Sequence, residues 1–259
     1  MATTFNGDPS NFRVGNMRAL ICELSATTST PESATKANPC VVADTIHGYG
    51  SAGDLVRIRI TGFVQMTELN NRDFLAEVID ANSYLLIGED STNYGTAEST
   101  GGTATLYTET DLGYTEPGST LTLGRTWRDR TADQDGGTAL DKLNVGESCV
   151  LNLTMKEITA AKLAQAYPGA TLTGTQRIAG GGLLAATVSA YDNARLLILH
   201  PLNKADNVAS GEWRIHKAYP TDIGAVPMDH SQDQVVPVTF EGLPDRDRAR
   251  GARTWTFFN

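Results

Sequence analysis

The side chains best suited to proton transfer or metal ligation near neutral pH are the four histidines, His47, His200, His216 and His230, and they are dispersed along the chain. None has the His-Glu-x-x-His spacing that sets two imidazoles on one helical face, and none belongs to a Cys/His cluster. Met228-Asp229-His230-Ser231-Gln232-Asp233 could offer oxygens and one imidazole to a cation, but a solvated acidic loop accounts for the same residues. Gly180-Gly181-Gly182 lacks the Lys-Ser/Thr of a phosphate loop and the strand–turn–helix setting of a dinucleotide site, so it reads as a turn. Gly-x-Ser-x-Gly does not occur. Cys149 lies in an apolar strand, where a thiol packs inertly. The expectation is a protein that is not an enzyme, with no catalytic residue, no metal ligand and no cofactor.

The charged and aromatic runs suggest contact rather than catalysis. Residues 125–142 form a hydrophilic stretch carrying Arg128, Asp129, Arg130, Asp133 and Asp135 with two glycines. A loop of that length is exposed, or orders against a neighbouring copy. Asp245-Arg246-Asp247-Arg248-Ala249-Arg250 is either a solvated loop of alternating charge or an inter-subunit ion-pair element, because Arg grips carboxylates bidentately. Trp255, Phe257 and Phe258 follow directly, and a terminus frays unless it is tied down. These aromatics are therefore sheet or interface residues, and the pattern points to a self-assembling β protein.

The elements that carry these residues are short. A chain of 259 residues holds one large or two modest domains. Abundant Thr, Val and Gly with few aromatics favours an all-β fold with little helix. A net charge of −9 argues against wrapping nucleic acid tightly, though not against DNA sliding past without sticking. The unpaired spacing of Cys22, Cys40 and Cys149 reads as reduced thiols in an intracellular compartment. The first residues lack the basic and apolar regions of a secretory signal, and no apolar run is long enough to span a membrane. The sequon at Asn152 lies inside a strand-like run, which disfavours glycosylation.

Along the chain, 17–24 is a strand and the Ser/Thr-rich stretch 25–36 a linker. Between 37 and 108, five short strands separated by turn signals suggest a small barrel: 40–43, 54–60, 73–79, 84–87 and 101–107. In the second of these, Val56, Ile58 and Ile60 are expected to face inward, with Arg57 and Arg59 opposite. Later, 121–123 is a strand, and Cys149, Leu151, Leu153 and Met155 form the inner face of another. Thr159 caps a single short helix, 160–167, with Leu163, Ala164 and Tyr167 on one face. Further strands are expected at 183–190, 195–200, 211–219, 235–240 and 253–258.

The order of elements resembles the major tail tube protein of long-tailed, non-contractile bacteriophages. The residues that carry the resemblance are Asp111-Leu112-Gly113 leading into Leu121-Thr122-Leu123, the long charged loop, and Lys156-Glu157-Ile158-Thr159 with the helix after it. Lys217-Ala218-Tyr219-Pro220 and Val238-Thr239-Phe240-Glu241-Gly242-Leu243-Pro244-Asp245 complete it. Residues 37–108 resemble a small barrel recurrent in phage tail proteins and likened to one in ubiquitin-activating enzymes. This likeness rests on Asn38-Pro39-Cys40-Val41-Val42, His47-Gly48-Tyr49, Met66-Thr67-Glu68-Leu69-Asn70 and Asp90-Ser91-Thr92-Asn93-Tyr94-Gly95. A barrel alone carries no adenylation chemistry.

The resemblance implies a mainly β fold, a tail-tube-like β-sandwich or barrel with one short helix packed on it and an inserted small β-barrel. Its parts are 1–33 with the first tube strand, 34–108 as the insert, and 109–259 as the tube domain. It also implies a virion protein, made in the host cytoplasm, that self-assembles into stacked hexameric rings forming the conduit for DNA ejection. The implied partners are further copies of the chain, the tape measure, tail terminator and tail tip proteins, and double-stranded DNA in transit. Host surface glycans are candidates for the insert. The charged runs and closing aromatics are then inter-subunit or inter-ring contacts. The alternative is a monomeric carbohydrate-binding or baseplate module.

Overall fold

The computed structural model describes residues 16–131, 138–167, 171–174, 177–179, 189–228 and 233–258. As the sequence suggests, the fold is mainly β with one short helix. A thirteen-stranded antiparallel sheet curls through the molecule, and its two ends build separate cores.

The pivot is β1 (Met17–Ser29), which pairs with β12 (Arg195–Pro201) on one side and β7 (Thr103–Asp111) on the other. Side chains alternate across a strand, so consecutive buried residues mean that both faces are covered. In β1, Ala19 and Ile21 join one core while Leu20 and Cys22 join another, and in β12 Leu197 and Leu199 split from Leu196 and Ile198 in the same way. The Ser/Thr-rich stretch expected to be a linker instead continues β1 to Ser29 and supplies the two-residue β2 (Ser33–Ala34). Its Thr28 and Ser29 pair with Thr105 and Ala104 beyond a bulge. Partner strands override weak local propensity here.

Residues 34–104 surround their own core. The strands β3 (Cys40–Ala43), β4 (Leu55–Thr61), β5 (Arg72–Asp80) and β6 (Ser83–Leu86) run in the order β2-β3-β6-β5-β4-β7. They enclose Val42, Ile58, Ile60, Met66, Leu69, Phe74, Tyr84 and Leu86. Ile58 and Ile60 face inward as the alternation predicts, whereas Val56 is only half-buried.

Beyond β12 the sheet continues through β13 (Trp213–Ile223), β14 (Val236–Leu243), β9 (Ala139–Met155) and β8 (Thr120–Thr131), with β15 (Trp255–Phe257) also on β13. Cys149, Leu151, Leu153 and Met155 of β9 are buried together, as their period-two spacing requires. Helix α1 (Ala160–Ala166) starts where Thr159 Oγ1 accepts a hydrogen bond from the Lys162 backbone N–H at 3.3 Å. Its inward residues are Ala166 and, in part, Leu163; Tyr167 is exposed rather than packed on that face. Most of the strand expected at 183–190 lies outside the described residues. A short pair, β10 (Thr171–Thr173) and β11 (Arg177–Ala179), is separate from the main sheet.

Candidate interaction site and the buried ionic seam

The stretch 125–142, expected as a loop, is largely strand. β8 and β9 pair in antiparallel register from Thr120 opposite Asn152 out to Thr131 opposite Ala139, with two irregularities. The inner half of this hairpin packs on the core through Leu121, Leu151 and Leu153. The outer half is an arm exposed on both faces from Arg125 to Thr131 and, apart from half-covered Gly146, from Ala139 to Glu147. It carries Trp127, Leu140, Leu143 and Val145 in the open, three of them more than half exposed. Arg128, Asp129 and Arg130 therefore sit on a strand, with Asp129 3.4 Å from Lys142 and Arg125 3.8 Å from Glu147. Charges and glycines made the stretch read as a loop, yet cross-strand pairing needs no buried face when the arm meets water on both sides. Asp133 and Asp135 lie outside the described residues.

The second charged run divides. Asp245 is fully buried and Arg248 nearly so, both paired within the chain, whereas Arg246, Asp247 and Arg250 are exposed. Arg246 lies over the Tyr191 ring, 5.1 Å from its centroid, and its backbone N–H donates to the Tyr191 hydroxyl at 3.0 Å. Trp255 and Phe257 are sheet residues: β15 pairs with β13, placing Trp213 4.6 Å from Phe257 and 5.5 Å from Trp255 between ring centroids. Phe258 receives the Arg214 guanidinium on its face at 4.0 Å.

Asp245 and Arg248 belong to a larger arrangement. The outer faces of β4 and β5 turn toward β13 and the segment after β14, and the seam between them is ionic. Arg57 Nη2 donates to Glu212 Oε1 at 2.7 Å, and Arg214 Nε and Nη2 donate to Glu212 Oε2 at 2.9 and 2.8 Å. His200 Nδ1 lies 3.0 Å from Glu212 Oε1. Alongside, Asp73 takes the Tyr107 hydroxyl at 2.7 Å and the Arg248 guanidinium, with His216 Nδ1 at 3.6 Å. Arg59 Nη2 donates to Asp245 Oδ2 at 3.1 Å. Leu20, Cys22, Leu196 and Ile198 form the apolar floor.

Alternation sets Arg57 and Arg59 opposite the inward Ile58 and Ile60 of the barrel core, and Glu212 and Arg214 alternate with Trp213 and Ile215, which pack on the larger core. What it cannot show is that a second sheet face covers them. The one available signal is that charges recur at i, i+2 on both 57–59 and 212–214.

Burial alone would raise the Glu212 carboxyl; the His200 hydrogen bond and the Arg214 and Arg57 charges outweigh it and hold the group at about 2. Burial likewise opposes ionisation of Asp73, but His216, Arg248 and Arg59 keep it well below the ordinary range. Burial and the Arg248 and Arg214 charges push His216 below 6.5, Asp73 opposing them. The signs fix a pH profile. A histidine depressed in the fold is protonated first in the unfolded chain, so stability falls as pH drops below about 6.5. Depressed carboxylates add a second loss, between about 4.5 and about 2 for Glu212. Urea unfolding across pH is expected to show both declines, and His216→Gln to remove the upper one.

The remaining candidates do not converge. His47 is a brace: its Nδ1 accepts the Tyr49 backbone N–H at 3.0 Å and its Nε2 meets the Asp80 carbonyl at 2.8 Å. Asp229, His230 and the three glycines at 180–182 lie outside the described residues, while Asp233 pairs with Lys156 at 3.3 Å. Among the described residues, no three His, Cys, Asp or Glu side chains gather closely enough for a metal ion, and no helix is long and apolar enough to cross a membrane. Compared with known proteins, the chain matches no family model and no curated sequence.

Proposed function

We propose that this chain is a structural subunit that assembles with copies of itself into rings and a tube, in the manner of the phage tail tube proteins it resembles. The observation that carries the reading is the β8–β9 arm, two paired strands exposed on both faces with four large apolar side chains uncovered. A monomer gains nothing from displaying such a surface, and among the described residues β8 ends the sheet with no strand on its far edge. Both needs are met by a neighbouring subunit. The tube would be the conduit for DNA in transit, bounded by the tape measure, terminator and tip proteins.

The buried aromatics of the insert favour this reading over a monomeric glycan binder. Sugar rings stack on exposed aromatic faces, but Tyr49, Phe63, Phe74, Tyr84 and Tyr107 are all buried. Tyr94 is half-buried and held by Glu89 and Arg72. In the tube the insert projects as an outer knob, braced by the ionic seam.

Negative-stain electron microscopy of the purified chain over a concentration series tests the reading. Rings or hollow tubes with regular outer knobs are the expected result; uniform monomers at every concentration would count against it.

A further inference from the structure

The charges of the ionic seam balance. Arg57, Arg59, Arg214 and Arg248 meet Glu212, Asp73 and Asp245 inside it and Glu109 at its rim. His216 lies buried among them. Its Nε2 is 2.8 Å from the Thr256 hydroxyl on β15, and its Nδ1 is 3.6 Å from Asp73 on β5. Arg214 stands two residues along its own strand, and Arg248 reaches the same Asp73 from the segment after β14. We propose that His216 is an acid-sensitive latch: on gaining a proton it parts the seam, lifting residues 34–104 off β13 while the two large cores stay folded.

A further positive charge finds no free partner there. Asp73, the carboxylate beside His216, already takes the Arg248 guanidinium and the Tyr107 hydroxyl, with Arg59 3.8 Å away. Burial and the Arg248 and Arg214 charges oppose the imidazolium and outweigh the attraction of Asp73. Once the seam parts, water solvates the charged ring, so the open form holds the proton more tightly and acid favours it. His200 is a poorer trigger, because a hydrogen on its Nδ1 serves the bond to Glu212 Oε1 whether the ring is neutral or charged. Glu212 and Asp73 are both held well below the ordinary carboxylate range, so the arginines keep their partners at about pH 5.

The opening is local because the seam has its own floor. Leu20, Cys22, Tyr107, Leu196 and Ile198 form a small cluster distinct from the core around Ile58 and from the core around Phe240. Parting the seam uncovers that cluster alone, at less cost than melting either larger one. The three cysteines divide in the same way, all buried and free: Cys22 in the floor, Cys40 in the core of 34–104 and Cys149 in the larger core. The Cys22 thiol sits in the field of Glu109, Arg57, Asp73 and Arg214, which ties it to the seam. Each thiol therefore reports on one cluster.

The test labels the full chain with a dipyridyl disulfide, which reacts with thiols in acid as well as at neutrality. Peptide mass spectrometry follows each cysteine, and each rate is divided by that of a cysteine peptide at the same pH. Between about pH 7.5 and about pH 5, Cys22 is expected to label at least about fivefold faster, the ceiling for one proton being about tenfold per pH unit. Cys40 and Cys149 are expected to stay protected. A flat Cys22 profile, or three thiols rising together, would overturn the latch. His216→Gln keeps a polar neighbour for Thr256 and cannot be charged, so it is expected to flatten the Cys22 profile; a rise that persists would remove His216 as the trigger. His47→Gln takes away the histidine that braces residues 34–104 and is expected to leave the Cys22 rise intact. Loss of the rise in that variant would move the trigger to the barrel and refute the seam.

Discussion

Glu212→Gln is expected to lower the free energy of unfolding by about 3–5 kcal/mol, because it removes one partner of a buried ionic cluster. Glu212 is fully buried, and its two oxygens take hydrogen bonds from Arg57 and Arg214 and one from His200. The glutamine keeps the size but loses the charge, leaving two guanidinium groups facing each other out of water. Arg57 retains Glu109, 2.9 Å from its Nε, so the loss is incomplete. For a domain of this size the change corresponds to a fall in melting temperature on the order of 10 °C. Calorimetry or urea titration measures it. Asp129→Asn is the control: its pair with Lys142 is exposed, and such pairs contribute about 0–1 kcal/mol. If both variants behaved alike, the seam would not hold the two halves together.

Trp127→Asp is expected to have the opposite profile. Trp127 is 51% exposed and touches no core, so monomer stability should change by no more than about 0.5 kcal/mol. Assembly should suffer far more. An interface aromatic of this kind contributes about 2 kcal/mol or more, roughly a thirtyfold rise in the protein concentration at which assembly begins. Sedimentation velocity reads that threshold directly. Trp213→Asp offers the contrast, since Trp213 stacks on Phe257 and packs on the core, and its loss should damage folding before assembly.

The parts of this fold that were legible from sequence are those where one period rules. Cys149 to Met155, Ile58 with Ile60, and the Thr159 cap each announce themselves within a few residues. The arm was illegible because a strand exposed on both faces has no hydrophobic period to display; Arg128, Asp129 and Arg130 look the same in a loop. The seam was hidden for a different reason. Arg57 alternates off the barrel core and Glu212 off the larger core, but solvent and a second sheet face look alike from one strand. Only their pairing across 155 positions distinguishes the two. Asp245 and Arg248 show the same limit, because the run that contains them suggested a solvated loop or an ion-pair element between subunits, whereas their partners Arg59 and Asp73 lie within the chain on β4 and β5.

The placement of β1 also has a mechanical meaning. This one strand pairs with β12 of the larger core from Met17 to Cys22 and with β7 of the smaller core from Leu20 to Ser29. Antiparallel ladder bonds lie perpendicular to the strands. A tug on residues 34–104 directed along β1 would therefore load many rungs in shear at once, while a tug across it would peel them singly. A unit mounted on such a strand resists being dragged along one axis far better than being levered off another, so force spectroscopy with the pulling direction varied should find a stiff axis and a weak one.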